Sequence, residues 1–167
     1  MSIAGFFTIS LIAMLVIAIT SLITYEILRV VWVLLPRVNV APRIRVLLLI
    51  IPIFSAHIIN IWIFAVAYFL VENFLDFGVL TGDKNLVGFS YENFVECLYF
   101  SATTYTSLGI GDVTPTNDLH MLASAEVLSG LVMIGWTLSF TYLTMEKFWS
   151  LHQRSHDKDE HKKIHIE

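Results

Sequence analysis

Three apolar runs, each long enough to cross a lipid bilayer, constrain this chain more than any other feature. Ile3 to Tyr25 holds 23 residues without a charge, Val46 to Val71 holds 26, and Leu119 to Phe148 carries only Glu126 before Glu146. A helix of about 20 apolar residues spans the hydrocarbon of a bilayer. Barrel strands are about half that length and alternate apolar with polar residues, which these runs do not. Of the 167 residues 56% are hydrophobic and 14% charged, and mean hydropathy is +0.73. Soluble domains carry about a quarter charged residues, so lipid is the expected solvent. The first run is too long for a cleaved leader and has no basic stretch before it. It continues past Glu26 and Arg29, which are three apart on one helical face and can pair, to about Leu35. Pro36 and Pro42 then punctuate a turn. The lone Cys97 allows no intrachain disulfide and reads as a small buried apolar residue.

The basic residues set an orientation. Arg29, Arg37, Arg43 and Arg45 flank the first turn, and Lys147, Arg154, Lys158, Lys162 and Lys163 follow the third run, whereas Lys84 stands alone between runs two and three. The excess of Lys and Arg on cytoplasmic loops predicts that the first turn and the C-terminal tail lie inside and the N-terminus outside, in a plasma (inner) membrane. The outer region then holds Glu72, Asp76, Asp83, Glu92, Glu96, Asp112 and Asp118, either a vestibule that concentrates cations or ordinary solvated loop charge.

Between runs two and three the chain does something else. Ser90 can cap a helix with Glu92 in its first turn. Residues 91–106 make that helix about four turns long, too short to span, and Gly109, Gly111 and Pro115 follow it. Such backbone is tolerated at membrane depth only where protein or a water-filled cavity surrounds it. The expected fold is an all-α membrane protein of three transmembrane helices with a re-entrant helix and loop. Its parts are a peripheral helix at 1–38, a pore domain at 43–148 (outer helix 43–74, re-entrant helix 91–106, loop 107–112, inner helix 119–148) and a short tail at 149–167.

The loop resembles the selectivity filter of the potassium-channel pore family. Ser107-Leu108-Gly109-Ile110-Gly111-Asp112 stands where that family has T-V-G-Y-G-D. Thr104 and Thr106 match its hydroxyls before the filter, Tyr99-Phe100 its paired aromatics, and Val113-Thr114-Pro115 its exit. The resemblance runs from about Ile58 to Phe148. It is similar more narrowly to small three-helix prokaryotic channel proteins, with a His early in the outer helix (His57) and E-x-x-x-G in the inner one (Glu126 to Gly130). The resemblance implies a homotetramer in the lipid bilayer, with Thr106 to Asp112 as the ion-binding filter and potassium binding at Ser107, Leu108, Gly109 and Ile110. It implies no resident cofactor and no nucleic-acid partner; the ligands are permeant monovalent cations. Glycine permits the dihedrals that turn successive carbonyls toward one axis, and carbonyl rings can replace an ion's water. Ser107 in place of Thr and Ile110 in place of an aromatic depart from the pattern. They leave open a weakly selective cation pore or a non-conducting subunit beside a potassium channel. Nothing pairs a nucleophile with a base, so the chain reads as no enzyme.

Other polar residues sit in the apolar runs. Glu126 is expected to brace the filter from behind, through pore-helix hydroxyls or Asp112, or to reach the interface. Tyr99, Phe100 and Thr104 are the further support candidates. Gly130 and Gly135 are hinge candidates, or points of close helix approach. His57 and Asn60 share a face and suggest interhelical hydrogen bonds, with proton sensing as the less ordinary reading. The tail histidines His152, His156, His161 and His165 read as part of a solvated helix, and no metal set is fixed there.

Overall fold

The computed structural model describes the backbone of residues 3–38, 42–75, 77–82 and 88–164, and the side chains of 5–38, 44–75, 77–82 and 88–147. Helices dominate: α1 (Ile3–Leu34), α2 (Pro42–Phe74), α3 (Tyr91–Tyr105) and α4 (Leu119–Ile164). A 3-10 turn at Leu35–Arg37, with Pro36 near its start, ends the first helix. Two short strands, β1 (Leu80–Thr81) and β2 (Thr114–Pro115), pair antiparallel, Leu80 opposite Pro115 and Thr81 opposite Thr114. Gly5–Arg37, Ile44–Phe74 and Leu119–Lys147 are long and apolar enough to cross a membrane. The protein is an all-α membrane protein, and α3 is the short helix between its second and third spans. The expectations placed on Asp76, Asp83 and Lys84, and on the side chains of the four tail histidines, lie outside the described residues.

Lipid is as apolar as leucine, so helices in it associate by close fit and hydrogen bonds rather than by burial of apolar area. The seam of α1 fits that rule. Ile9, Ala13, Val16, Thr20, Thr24, Leu28 and Val31 are buried at spacings of three and four, and Leu35 just beyond the helix continues the stripe. Phe7, Leu11, Met14, Leu15 and Leu22 face outward. Small and hydroxyl residues on the seam let neighbouring helices approach, and the Thr20 hydroxyl is satisfied by the Val16 carbonyl at 2.9 Å. At the other end of α1, Trp32 lies against Phe140 (centroids 6.0 Å apart) with Lys147 Nζ 4.2 Å above its ring. Glu26 and Arg29 pair at 3.2 Å on the exposed face.

α4 runs on to Ile164, beyond Phe148 where the sequence sets the end of the span. Its 46 residues reach about 69 Å at 1.5 Å per residue, well over the thickness of a bilayer. No glycine or proline stands between Trp136 and Ile164 to stop it. α3 wedges between α2 and α4. Phe64, Tyr68 and Val71 of α2, Cys97, Phe100 and Tyr105 of α3, and Leu122 and Met133 of α4 share one core with the upper part of the α1 seam. That core fixes where the C-terminal end of α3 points.

Candidate functional site

The start of α3 is built as the sequence suggests. Ser90 is extended (φ −122°, ψ 153°), and its hydroxyl accepts the Asn93 N–H at 3.1 Å, with Glu92 in the first turn. The end of α3 is more unusual. Thr106 still has helical dihedrals, and Ser107 then turns left-handed at φ 59°. The Leu108 N–H reaches back to the Thr103 carbonyl at 2.8 Å and the Ser107 N–H to the Thr104 carbonyl at 2.9 Å. This is the paired-bond helix stop that normally places glycine at the left-handed position. Serine there costs roughly 1–2 kcal/mol, so Ser107 is held strained by its surroundings.

Positive φ recurs at every second residue: Ser107 at 59°, Gly109 at 52° and Gly111 at 87°, with negative values at Leu108 and Ile110. A regular extended strand points successive carbonyls to opposite sides. Alternating the hand of the backbone brings them toward the same side, and glycine makes that inexpensive at two of the three positions. The whole stretch from Thr106 to Asp112 is exposed in the single chain, Leu108 at 67% and Ile110 at 56%.

Beyond the filter-like stretch the chain is clasped on the outer side. The Tyr99 hydroxyl donates to Asp112 Oδ2 at 2.8 Å, and the Val113 N–H donates to Asp112 Oδ1 at 3.0 Å. Asp112, as acceptor, holds the Tyr99 phenol above its ordinary pKa. The exit strand β2 is bound to β1, and Thr116 seals the pair: its N–H donates to the Val79 carbonyl at 3.0 Å, and its hydroxyl accepts the Val79 N–H at 2.9 Å. The stretch is thus tied at both ends to α3 and once more to the segment after α2.

Behind α3 stand buried polar groups. Glu126, with no exposed surface, receives the Tyr68 hydroxyl of α2 at 2.6 Å and the Ser101 hydroxyl of α3 at 2.5 Å. It therefore joins α2, α3 and α4. Of the partners anticipated for it, a hydroxyl of α3 is the one observed; Asp112 is engaged by Tyr99 instead. Lower on α3, the Tyr105 phenol meets His57 Nδ1 at 3.0 Å and receives Asn60 Nδ2–H at 3.2 Å. His57 Nε2 lies 3.1 Å from the Thr137 hydroxyl of α4, and Asn60 donates to Thr24 of α1 at 2.9 Å. His57 and Asn60 thus make interhelical hydrogen bonds, the ordinary reading of their shared face.

The glycines of α4 separate. A Cβ added at Gly130 would strike the Tyr105 carbonyl and lie 3.3 Å from the Tyr105 Cα, whereas one at Gly135 would meet nothing within 4 Å among the described residues. Gly130 is a notch that receives the backbone at the end of α3, and both glycines lie in an unbroken helix. Phe100 is buried edge-on against Tyr68, centroids 5.1 Å apart, and Thr104 is buried beside it on α3. The partners Tyr68, Ser101, Thr137 and Thr24 were not singled out from the sequence. A buried acid or amide in an apolar run calls for a donor or acceptor nearby, but spacing alone does not say on which helix. Among the described residues no group of three metal-ligating side chains comes together.

A protein-family model described as an ion channel matches residues 56–147, more than half of the chain. No curated protein and no solved structure matches it.

Proposed function

This chain belongs to the ion channel family, and we propose that four copies assemble in the plasma membrane into a potassium-preferring pore, N-termini outside and C-termini inside. The observation that carries this reading is the alternation of positive φ at Ser107, Gly109 and Gly111 directly after a helix too short to span. Four such stretches around one axis would stack carbonyl rings from Ser107, Leu108, Gly109 and Ile110, with the Ser107 hydroxyls innermost. A cation entering them exchanges water oxygens for protein oxygens at little net cost. Each α3 would turn the negative end of its dipole toward the ion's inner approach. Thr106 would lead into the filter, and Gly111 and Asp112 would form its outer mouth. Thr104, Tyr99, Phe100 and Glu126 would hold it from behind. The exposure of Leu108 and Ile110 supports assembly, because apolar residues this open on a functional loop are expected to meet neighbouring copies.

A second reading, a weakly selective monovalent cation pore, is favoured by Ile110. It has no ring or hydroxyl to fasten the filter laterally, and loosely held oxygens discriminate less between ions of different radius. Purified protein in liposomes tests both. A reversal potential under potassium/sodium bi-ionic conditions gives the permeability ratio, and native mass spectrometry gives the copy number. A stable monomer without flux overturns the pore, and a ratio near one selects the second reading. Ile110→Tyr is expected to raise the ratio if the space behind the filter accepts a ring; a well-assembled I110Y tetramer with an equal or lower ratio would show that Ile110 does not limit selectivity.

A further inference from the structure

The polar node below the filter can be assigned donor by donor. Thr137 gives its hydroxyl proton to the Ile134 carbonyl at 3.0 Å, so its oxygen accepts from His57 Nε2–H. That leaves His57 Nδ1 bare, to accept the Tyr105 hydroxyl. The Tyr105 oxygen accepts Asn60 Nδ2–H, and Asn60 also donates to Thr24. The chain of donors runs one way, from Asn60 through Tyr105 and His57 to Thr137. At its head Asn60 Oδ1, fully buried, has no partner among the described residues. A buried carbonyl oxygen left unmet is costly, and its presence next to a titratable ring needs a reason.

We propose that His57 is a positioning residue for the filter, and that a proton taken up on its Nδ1 reverses the hydrogen bonds from His57 through Tyr105 to Asn60 and lowers conduction; the inference rests on the channel reading above. One proton enters from water and none leaves. His57 Nδ1 becomes a donor to the Tyr105 oxygen, and the Tyr105 hydroxyl proton turns away to a new acceptor. Asn60 Oδ1 is that acceptor once the amide rotates by half a turn, and Thr24 becomes a donor to the same oxygen. The number of bonds is kept: those joining His57, Tyr105, Asn60 and Thr24 invert, and His57 Nε2–H still donates to Thr137. The unmet oxygen is what makes the second direction available.

The change is delivered to the filter because Tyr105 is the last residue of α3, two before Ser107, with its carbonyl seated in the Gly130 notch. The added charge also stands by the helix end that favours a cation in the inner approach, and opposes it. The groups that face His57 are the Tyr105 phenol from α3 and the Thr137 hydroxyl from α4; α1 reaches the node through Thr24, and α2 adds Asn60. Glu126 of α4 lies within electrostatic range of Tyr105 and is engaged by Tyr68 and Ser101. Among the described residues no charged side chain hydrogen-bonds to His57.

The test is potassium flux from liposomes containing the full chain, at equal pH on both sides, compared at about pH 7.5 and about pH 5. Wild type is expected to lose about threefold or more of its flux at the lower pH, as for a unit charge near the ion path. In His57→Asn the amide oxygen stands where Nδ1 stood and accepts from Tyr105 without titrating. That variant gives up the bond to Thr137, so its flux at neutral pH is expected to fall, and it should lose the acid-dependent change. Tyr105→Phe removes one oxygen and keeps the ring; it should also lose the fall, with a lower potassium-to-sodium ratio at both pH values, and it decides the matter where H57N does not assemble. A pH-independent wild type, a fall that persists in either variant, or a tetrameric Y105F with the wild-type ratio overturns the inference and leaves the channel reading intact. A wild-type tetramer without flux at either pH overturns both.

Discussion

Along α1 the buried positions form one stripe of Gly, Ile, Ala, Val, Thr and Leu, and the remaining surface is open and mostly apolar apart from the Glu26–Arg29 pair. Along α3 the buried positions are Asn93, Cys97, Phe100, Ser101, Thr104 and Tyr105, and Asn93, Ser101 and Tyr105 are matched to particular partners on α2, α4 or the preceding loop. Both helices read as largely apolar, yet they are specified differently. In α1 the sequence fixes size at one position in three or four, because a lipid-facing side chain has only to be apolar. In α3 it fixes individual donors and acceptors, because a polar atom buried at membrane depth has no water to fall back on. The difference separates a helix that packs from a helix that aims.

The sharpest way to break the comparison is at the contact where the aimed helix meets α4. Gly130→Leu forces a side chain into the Tyr105 carbonyl, backbone that cannot move without shifting the 106–112 stretch that follows it. Overpacking of that kind should cost about 3 kcal/mol and abolish tetramer recovery from detergent. Gly135→Leu, built into open space, should leave the fold of the chain unchanged. Equal recovery of the two variants would return Gly130 to the role of a bending point.

Next come Gly109→Ala and Gly111→Ala. Each puts a Cβ on a residue with positive φ, at a cost of roughly 1–2 kcal/mol. Among the described residues of the single chain neither glycine has a neighbour within 4 Å of the added methyl, so the effect should fall on the backbone of the 107–112 loop rather than on packing. The expected outcome is membrane-inserted, tetrameric protein that has lost potassium selectivity; unchanged selectivity in either variant would remove the carbonyl-filter argument.

The two regions also differ in what could be read from sequence. The spans were legible because runs of more than 20 residues with at most one charge leave a chain few alternatives. The short helix was legible from its cap at Ser90 and the glycines after Thr106. The α1 seam was not, since a helix apolar on every side carries no period to read. The β1–β2 pair was not, because two-residue strands leave no pattern. At the site, the acid in α4 was visible, but its partners Tyr68 and Ser101 lie 58 and 25 residues away. Likewise nothing in the spacing of Gly130 distinguished a notch from a hinge; only the neighbouring Tyr105 backbone does.

A smaller effect is expected at the outer clasp. Tyr99 can donate to Asp112 only while it keeps its proton, and that bond raises its pKa above the ordinary phenol value. A group whose folded pKa is raised contributes fully below its unfolded pKa, about 10, and loses the contribution as pH climbs through the folded value. Flux and selectivity should therefore be indifferent to Tyr99 ionisation near neutrality and decline in strong alkali. Tyr99→Phe should show a modestly reduced selectivity at every pH and no alkaline decline of its own. An identical alkaline profile in Y99F and wild type would place the titrating group elsewhere.

The smallest effect is expected on the lipid face of α1, and its smallness is what makes it informative. Leu11, Leu15 and Leu22 are 71%, 61% and 64% exposed, and all three lie off the buried stripe. Changing all three to isoleucine keeps their apolar surface against a solvent with no fixed shape. Isoleucine costs a few tenths of a kcal/mol more than leucine in helix propensity, and no packed neighbour adds to that. The triple variant should match wild type in tetramer stability within about 0.5 kcal/mol and in permeability ratio. Ala13→Leu, two positions from Leu11 but on the seam and 4% exposed, should by contrast cost about 1–3 kcal/mol. If the triple variant loses stability to the same degree as Ala13→Leu, the outer face of α1 is a protein interface in the assembled pore, and α1 would have to be counted among the helices that aim.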